Sequence, residues 1–184
     1  MAELPFDPST LSPGDKAIYD AMVAQRQSQG APFGGPYAAL MHHPQLCQKI
    51  EALGYYLKFD GHLARDVYQF VVLSVARETR TAFEWVDHVQ HAVAAGVPEA
   101  VIENLRLHGV AGTAFPDPYR LAALVLRSTL AWQNIPDTIQ ADAIKSYGLH
   151  GFVELVVLSG FYQMFSAINQ GFAVSLPKGT ASPF

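Results

Sequence analysis

The sequence predicts an all-α domain, and three features carry that expectation. Apolar residues recur at helical rather than alternating spacing along most of the chain. Proline or a small polar residue repeatedly stands where a helix begins and glycine where one stops, so the chain divides into segments of helical length. The one run rich in β-branched residues, from Val67 to Ala76, is too long and too free of turn signals for a strand. With 184 residues, half of them apolar, the chain suits one domain around a single core.

The elements follow in order. Ser12-Pro13 reads as an N-cap followed by proline at the first helical position, opening a peripheral helix with Ile18, Met22 and Ala24 on a modest apolar face to about Gln27. The breaker-rich loop from Gly30 to Pro36 ends it. A short helical turn is expected over 37–41, after which His43-Pro44 opens a helix lined by Leu46, Ile50, Leu53 and Leu57 and closed by Asp60-Gly61. From Leu63 to about Arg80 the chain is apolar almost all round, which predicts a buried helix, and Gln69 inside it must find hydrogen-bond partners. A helix stopped by Gly96 follows, then one started by Val97-Pro98-Glu99 and lined by Ile102, Leu105 and Leu107. After a small-residue loop from Gly109 to Pro116, Asp117-Pro118 caps a long helix whose apolar residues run from Leu121 to Trp132. Asp137 caps a short amphipathic helix ended by Gly148, and an apolar helix runs from Phe152 to Phe172 before an irregular tail. The organisation is therefore an N-terminal helix and Gly/Pro loop over 1–35, a helical domain over 36–172 and a tail over 173–184.

Composition narrows the function. A net charge of −4 and a pI of about 5.9, without basic blocks, argue against nucleic acid or an anionic membrane as partner and for a small molecule. Cys47 is the single cysteine, so an intrachain disulfide, a Cys-rich zinc site and a dithiol redox pair are excluded. The N-terminus lacks the basic start and apolar run of a signal peptide, and no apolar segment is expected to reach membrane-spanning length. A soluble cytoplasmic protein is expected.

Acid–base chemistry concentrates between Glu78 and Gly96. At about 100° per residue, Glu84, His88 and His91 fall within an arc of about 60°, whereas Ala82, Val86, Val89 and Val93 occupy the other side. The polar stripe is either a site or a solvent-facing surface. Elsewhere, Gln69-Phe-Val-Val-Leu-Ser74 and Glu154-Leu-Val-Val-Leu-Ser159 share a pattern that suggests a duplicated helical unit. Glu154, set among apolar residues, calls for a partner such as Arg65, Arg77, Arg80, Arg120 or Arg127.

Phe83-Glu84-Trp85-x2-His88-x3-Ala92-x3-Gly96, after an apolar helix and before a Pro-Glu helix start, resembles the carboxymuconolactone decarboxylase family of the alkylhydroperoxidase D-like superfamily. Glu154-Leu-Val-Val-Leu-Ser-Gly-Phe-Tyr162 resembles its second helical segment, and the likeness covers roughly Pro36 to Phe172. The resemblance implies an all-α alkylhydroperoxidase D-like domain, assembled as a trimer or a hexamer, with sites near subunit boundaries. Redox members carry Cys-x2-Cys-x3-His, and with His88 as anchor those cysteine positions are Thr81 and Glu84 here, which removes the dithiol peroxidase mechanism. Many members place a glutamate on the preceding helix where this chain has Gln69, which takes no proton but can still contact a substrate.

The resemblance then implies cofactor-free acid–base chemistry on a small carboxylate or lactone, by decarboxylation or by lactone isomerisation or opening. Glu84 and His88, at i and i+4, are the expected catalytic pair, with a hydrogen bond from His88 to the Glu84 carboxylate raising the histidine's pKa. Arg77 and Arg80 are candidate carboxylate clamps. His43, Tyr55 and Tyr56 are candidates for closing the pocket, and Trp85 reads chiefly as a packing residue. Two rivals stand beside this reading. One is a metal site of Glu84, His88 and His91 completed by His62, although one straight helix converges such ligands poorly and no metal or cofactor is expected. The other is a non-catalytic, oligomeric ligand-binding module of the same fold.

Overall fold

The computed structural model describes residues 4–28, 33–111 and 115–184, and all regular structure among them is helical. A single 3-10 turn, Pro8–Thr10, precedes α1 (Pro13–Ser28), α2 (Pro36–Leu40) and α3 (Pro44–Tyr55). The chain then passes through a wider π-helical turn, Tyr56–Asp60, into α4 (Arg65–Glu78), α5 (Ala82–Ala94), α6 (Glu99–His108), α7 (Tyr119–Leu130) and α8 (Asp137–Gly171). The all-α expectation holds. Gly30, Ala31 and Pro32 of the expected first loop, and 112–114 of the later one, lie outside the described residues.

The core is built around α4. Every residue from Val67 to Ala76 is buried, because α5, α6, α7 and α8 all pack against this helix and leave it no solvent-facing side. That environment explains the all-round apolar sequence. α5 packs beside α4 through a tight turn in which Arg80 takes a positive φ of 55°.

Gly148 stops the first part of α8 as expected: its φ of 74° and ψ of 165° are non-helical, so α8 consists of two helices that meet at a kink there. Because the apolar run continues past the kink, α8 is long and apolar enough by length and composition to cross a membrane, contrary to the expectation that no segment would be. Of its most apolar stretch 56% is buried inside the domain, where the helix packs on α4 and α7.

Three further expectations are corrected. α7 ends at Leu130, and Trp132 beyond it is 87% exposed rather than part of the apolar face. α7 also begins at Tyr119, with Asp117 paired to Arg120 at 3.1 Å instead of capping the helix. Leu107 is exposed, since the buried face of α6 runs through Val101, Ile102 and Leu105.

The terminal segments close over the helical bundle. Phe6 packs on Tyr19, Phe33 and His42. At the other end Phe184 sits edge-on to Trp85, with ring centroids 5.6 Å apart, and the Pro183 carbonyl accepts from Arg106 at 3.3 Å. The tail is thus irregular, as expected, but held by α5 and α6 of its own chain.

Candidate functional site

Of the two readings of the α5 stripe, a site or a solvent-facing surface, the fold removes the second for Glu84 and His88, while His91 is exposed. The buried residues of α5 are Glu84, Trp85, His88 and Ala92, while Val93 is exposed and Ala82, Val86 and Val89 are only partly covered. The helix is turned so that its carboxylate and one imidazole face inward. Hydrophobic spacing alone could not show this, because the inward side chains find polar partners on α4 and α8.

Those partners form a connected cluster. Gln69 Oε1 lies 2.9 Å from His88 Nδ1, an arrangement in which the ring nitrogen donates and His88 holds its proton on Nδ1, while Gln69 Nε2 is buried with no hydrogen-bond partner among the described residues. Nε2 is then an acceptor, 3.3 Å from the Tyr162 hydroxyl, which is itself 2.9 Å from the Tyr68 hydroxyl. Asn169 Nδ2 donates to Glu84 Oε1 at 2.6 Å and to the Phe165 carbonyl at 2.9 Å. Glu84 Oε2 stands 3.8 Å from His88 Nε2, too far for the expected hydrogen bond but close enough for a proton to pass through one bridging oxygen.

Burial dominates the electrostatics. It raises the Glu84 carboxyl to about 7 against the hydrogen bond from Asn169, and Asp87 adds to the rise. It lowers His88 to about 3, with Lys58, His91 and Arg65 pushing the same way, which reverses the expectation that Glu84 raises it. At neutral pH the imidazole is uncharged and Glu84 is the group that exchanges a proton. Burial also raises Tyr68 to about 12 and Tyr162 well above the ordinary phenol value.

The cluster forms the floor of a cavity of about 800 Å³. Tyr68, Glu84, His88 and Tyr162 line it from the buried side, and exposed Tyr55, Phe59, Asp87 and His91 stand at its rim. Phe83, Phe161 and Phe165 give it flat apolar walls. Both terminal segments contribute, through Leu4, Pro5 and Phe6 and through Phe172 to Ser175. Gly35 shapes one wall: its φ is 57°, and a Cβ there would meet the Phe83 ring at 2.4 Å.

Two cations line the cavity. Arg26 is paired with buried Glu51 at 3.3 Å and lies over the Tyr37 ring at 4.4 Å. Lys58 has no carboxylate within ion-pairing distance among the described residues; burial lowers its pKa, and the nearby Arg65 adds to this.

Several expected site residues lie elsewhere. Arg77 donates to the Arg106 carbonyl at 2.6 Å and stacks over Phe184, and Arg80 is exposed on the turn before α5. Trp85 is buried against Phe184. His43 is exposed and caps α3 by accepting from the Leu46 amide, and Tyr56 donates to Glu154 at 3.3 Å. None of these five side chains lines the cavity, whereas Tyr55 does. Gln69 acts behind His88 rather than in the lining.

Glu154 takes none of the expected arginines. Burial alone raises its carboxyl, but hydrogen bonds from the His62 ring at 2.8 Å and from the His62 and Leu63 amides at 2.6 and 3.2 Å outweigh burial and leave its pKa below the usual range. His62 is therefore tied to Glu154 and to His150 at 3.4 Å and does not complete the metal set with Glu84 and His88. Among the described residues, no three His, Cys, Asp or Glu side chains are placed to share a metal ion. Cys47 is buried, and burial pushes its thiol up to about 12, far from a reactive thiolate.

Tyr68, Tyr162, Asn169 and Lys58 were not singled out from the sequence. The first three carried the same signal as Gln69, a polar group inside an apolar helix that must find a partner. No family model, curated protein or solved structure matches the chain.

Proposed function

We propose that the cavity is the active site of a cofactor-free acid–base enzyme of the carboxymuconolactone decarboxylase type, acting on a small carboxylate- or lactone-bearing molecule. The observation that carries this reading is the burial of Glu84 and His88, 4% and 6% exposed, at the floor of the cavity, with their proton affinities pushed in opposite directions. A non-catalytic binding module has no need of such a pair, and a surface stripe would have left both groups in water.

Losing carbon dioxide from an unsaturated lactone acid requires an anchor for the carboxylate, a place for the electron pair and a proton for the carbon that receives it. Lys58 is the cation on the cavity wall that fits the first task, in place of Arg77 and Arg80. As the bond to the carboxylate carbon breaks, its electron pair enters the conjugated carbonyl system. Glu84 then delivers its proton to the carbon that gains the pair, carbon dioxide leaves, and the Glu84 carboxylate regains a proton from water. In lactone isomerisation the ionised Glu84 carboxylate, with a pKa of about 7, takes a proton from one carbon and returns it at another, while neutral His88, its tautomer held by Gln69, presents Nε2 as a hydrogen-bond acceptor beside it. Assembly into a trimer or hexamer belongs to the same proposal and is supported by the exposed Leu149, Val153 and Val157 along α8.

The test is turnover of a panel of lactone acids and oxo acids by wild-type and Glu84→Gln protein. Conversion of at least one member by the wild type, with a loss of about 10²-fold or more in the variant, is expected; equal rates in both would sink the assignment.

A further inference from the structure

The proton transfers assigned to Glu84 make no use of the phenol pair on the same cavity floor. Tyr68 and Tyr162 are 2% and 6% exposed, line the cavity and stand with hydroxyls 2.9 Å apart. Because Gln69 takes the Nδ1 proton of His88, Nε2 accepts and Tyr162 donates to it. Tyr162 has only one proton to give, so Tyr68 donates to the Tyr162 oxygen. The chain of donors therefore has one direction, Tyr68 to Tyr162 to His88 to Gln69.

Its weak link is the bond from Tyr162 to His88, at 3.3 Å. A negatively charged ligand oxygen is a better acceptor for that proton, since charge-assisted hydrogen bonds are shorter and roughly twice as strong as neutral ones. Donation from Tyr68 polarises the Tyr162 hydroxyl further. Phe83, Phe161 and Phe165 offer apolar walls to a flat ring, and Lys58 adds a positive charge on the same cavity.

We propose that the Tyr162 hydroxyl, backed by Tyr68, is a binding site for an oxyanion on a flat unsaturated ligand: the enolate of a substrate, or a phenolate of similar shape. This deepens the enzyme reading and rests on it for the identity of the natural ligand. Binding breaks no covalent bond; one hydroxyl-to-nitrogen hydrogen bond is exchanged for one from the same hydroxyl to the ligand oxygen. The exchange also releases the lone pair on His88 Nε2 as a hydrogen-bond acceptor facing the seated ligand. Burial keeps both phenols protonated at neutral pH, as a donor requires.

The experiment uses para-nitrophenol, followed by absorbance at a pH equal to its own pKa in solution, with para-nitroanisole as a probe of similar shape that forms no oxyanion. The expected result is that the bound probe is mainly phenolate. Tyr162→Phe should weaken phenolate binding by about tenfold or more, as a hydrogen bond to a charged group implies, and leave para-nitroanisole binding unchanged. Tyr68→Phe, a second variant should Tyr162→Phe fail to fold, should weaken phenolate binding by a smaller factor. A bound probe that is mainly neutral, or variants that hold the phenolate as tightly as wild type, would overturn the proposal. These readouts need no turnover, so phenolate binding through Tyr162 by a protein that converts no lactone acid supports the oxyanion site while removing the enzyme reading.

Discussion

Gln69 Oε1 accepts the Nδ1 proton of His88 at 2.9 Å, and this one bond decides which face of the imidazole is basic. With Nδ1 committed, Nε2 points to Tyr162 and to the Glu84 carboxyl, the two groups that share the cavity floor. A glutamine suits the position better than a glutamate, because a second buried carboxylate would pull His88 towards the charged form.

Gln69→Leu should therefore free the ring to take either tautomer. The expected cost is no more than about 1 kcal/mol of stability, because the lost hydrogen bond is offset by removal of the buried Gln69 Nε2 that has no partner among the described residues. Nitrogen NMR shifts of His88 should move from one Nδ1-protonated tautomer to a mixture, and an unchanged spectrum would contradict the assignment.

Glu84 and His88 act oppositely on stability. The Glu84 pKa is raised in the folded protein, from 4.5 to about 7, so its contribution is present below about 4.5 and is lost as pH rises to about 7. His88 is lowered, from 6.5 to about 3, so its contribution is present above about 6.5 and is lost as pH falls towards 3. Between about 4.5 and 6.5 the two trends offset each other. Glu84→Gln should remove the loss on the alkaline side, so that denaturant stability climbs from about pH 4.5 to pH 6.5, on the order of a few kcal/mol. A flat profile in that variant would show that His88 is not buried neutral.

How far the sequence could be read follows from the kind of signal each residue carried. Caps and breakers are local, and they placed the helix starts at Pro13, Pro44 and Glu99 and the bend at Gly148. The rotation of α5 is not local: the spacing that put valines opposite Glu84 and His88 suited an outward polar face until Gln69, Tyr162 and Asn169 supplied partners from other helices. The cation had the same difficulty. Arg77 and Arg80 are near His88 in sequence, but Arg77, in the last turn of α4, is held by the Arg106 carbonyl, Arg80 is exposed on the turn that follows, and Lys58 arrives from the π-helical turn.

Lys58→Met tests that replacement. If Lys58 holds the substrate carboxylate, KM for an acid substrate should rise by about tenfold or more, whereas a neutral lactone should be handled as by wild type. Arg80→Met should leave both unchanged, and the reverse pattern would restore the clamp to the turn before α5.

Gly35→Ala probes the cavity wall. Its positive φ and the 2.4 Å approach of a Cβ to the Phe83 ring predict a loss of about 1–3 kcal/mol, measured by thermal denaturation. Gly14→Ala, where nothing lies within 4 Å, should cost far less and serves as the control.

The most direct measurement is the pH dependence of kcat for wild-type and Glu84→Gln protein on whichever lactone acid the panel identifies. With Glu84 as the proton donor, kcat should fall as pH rises through about 7 and be lost in the variant. A wild-type rate that is level across that range, or a variant that turns over at the wild-type rate, would contradict the account.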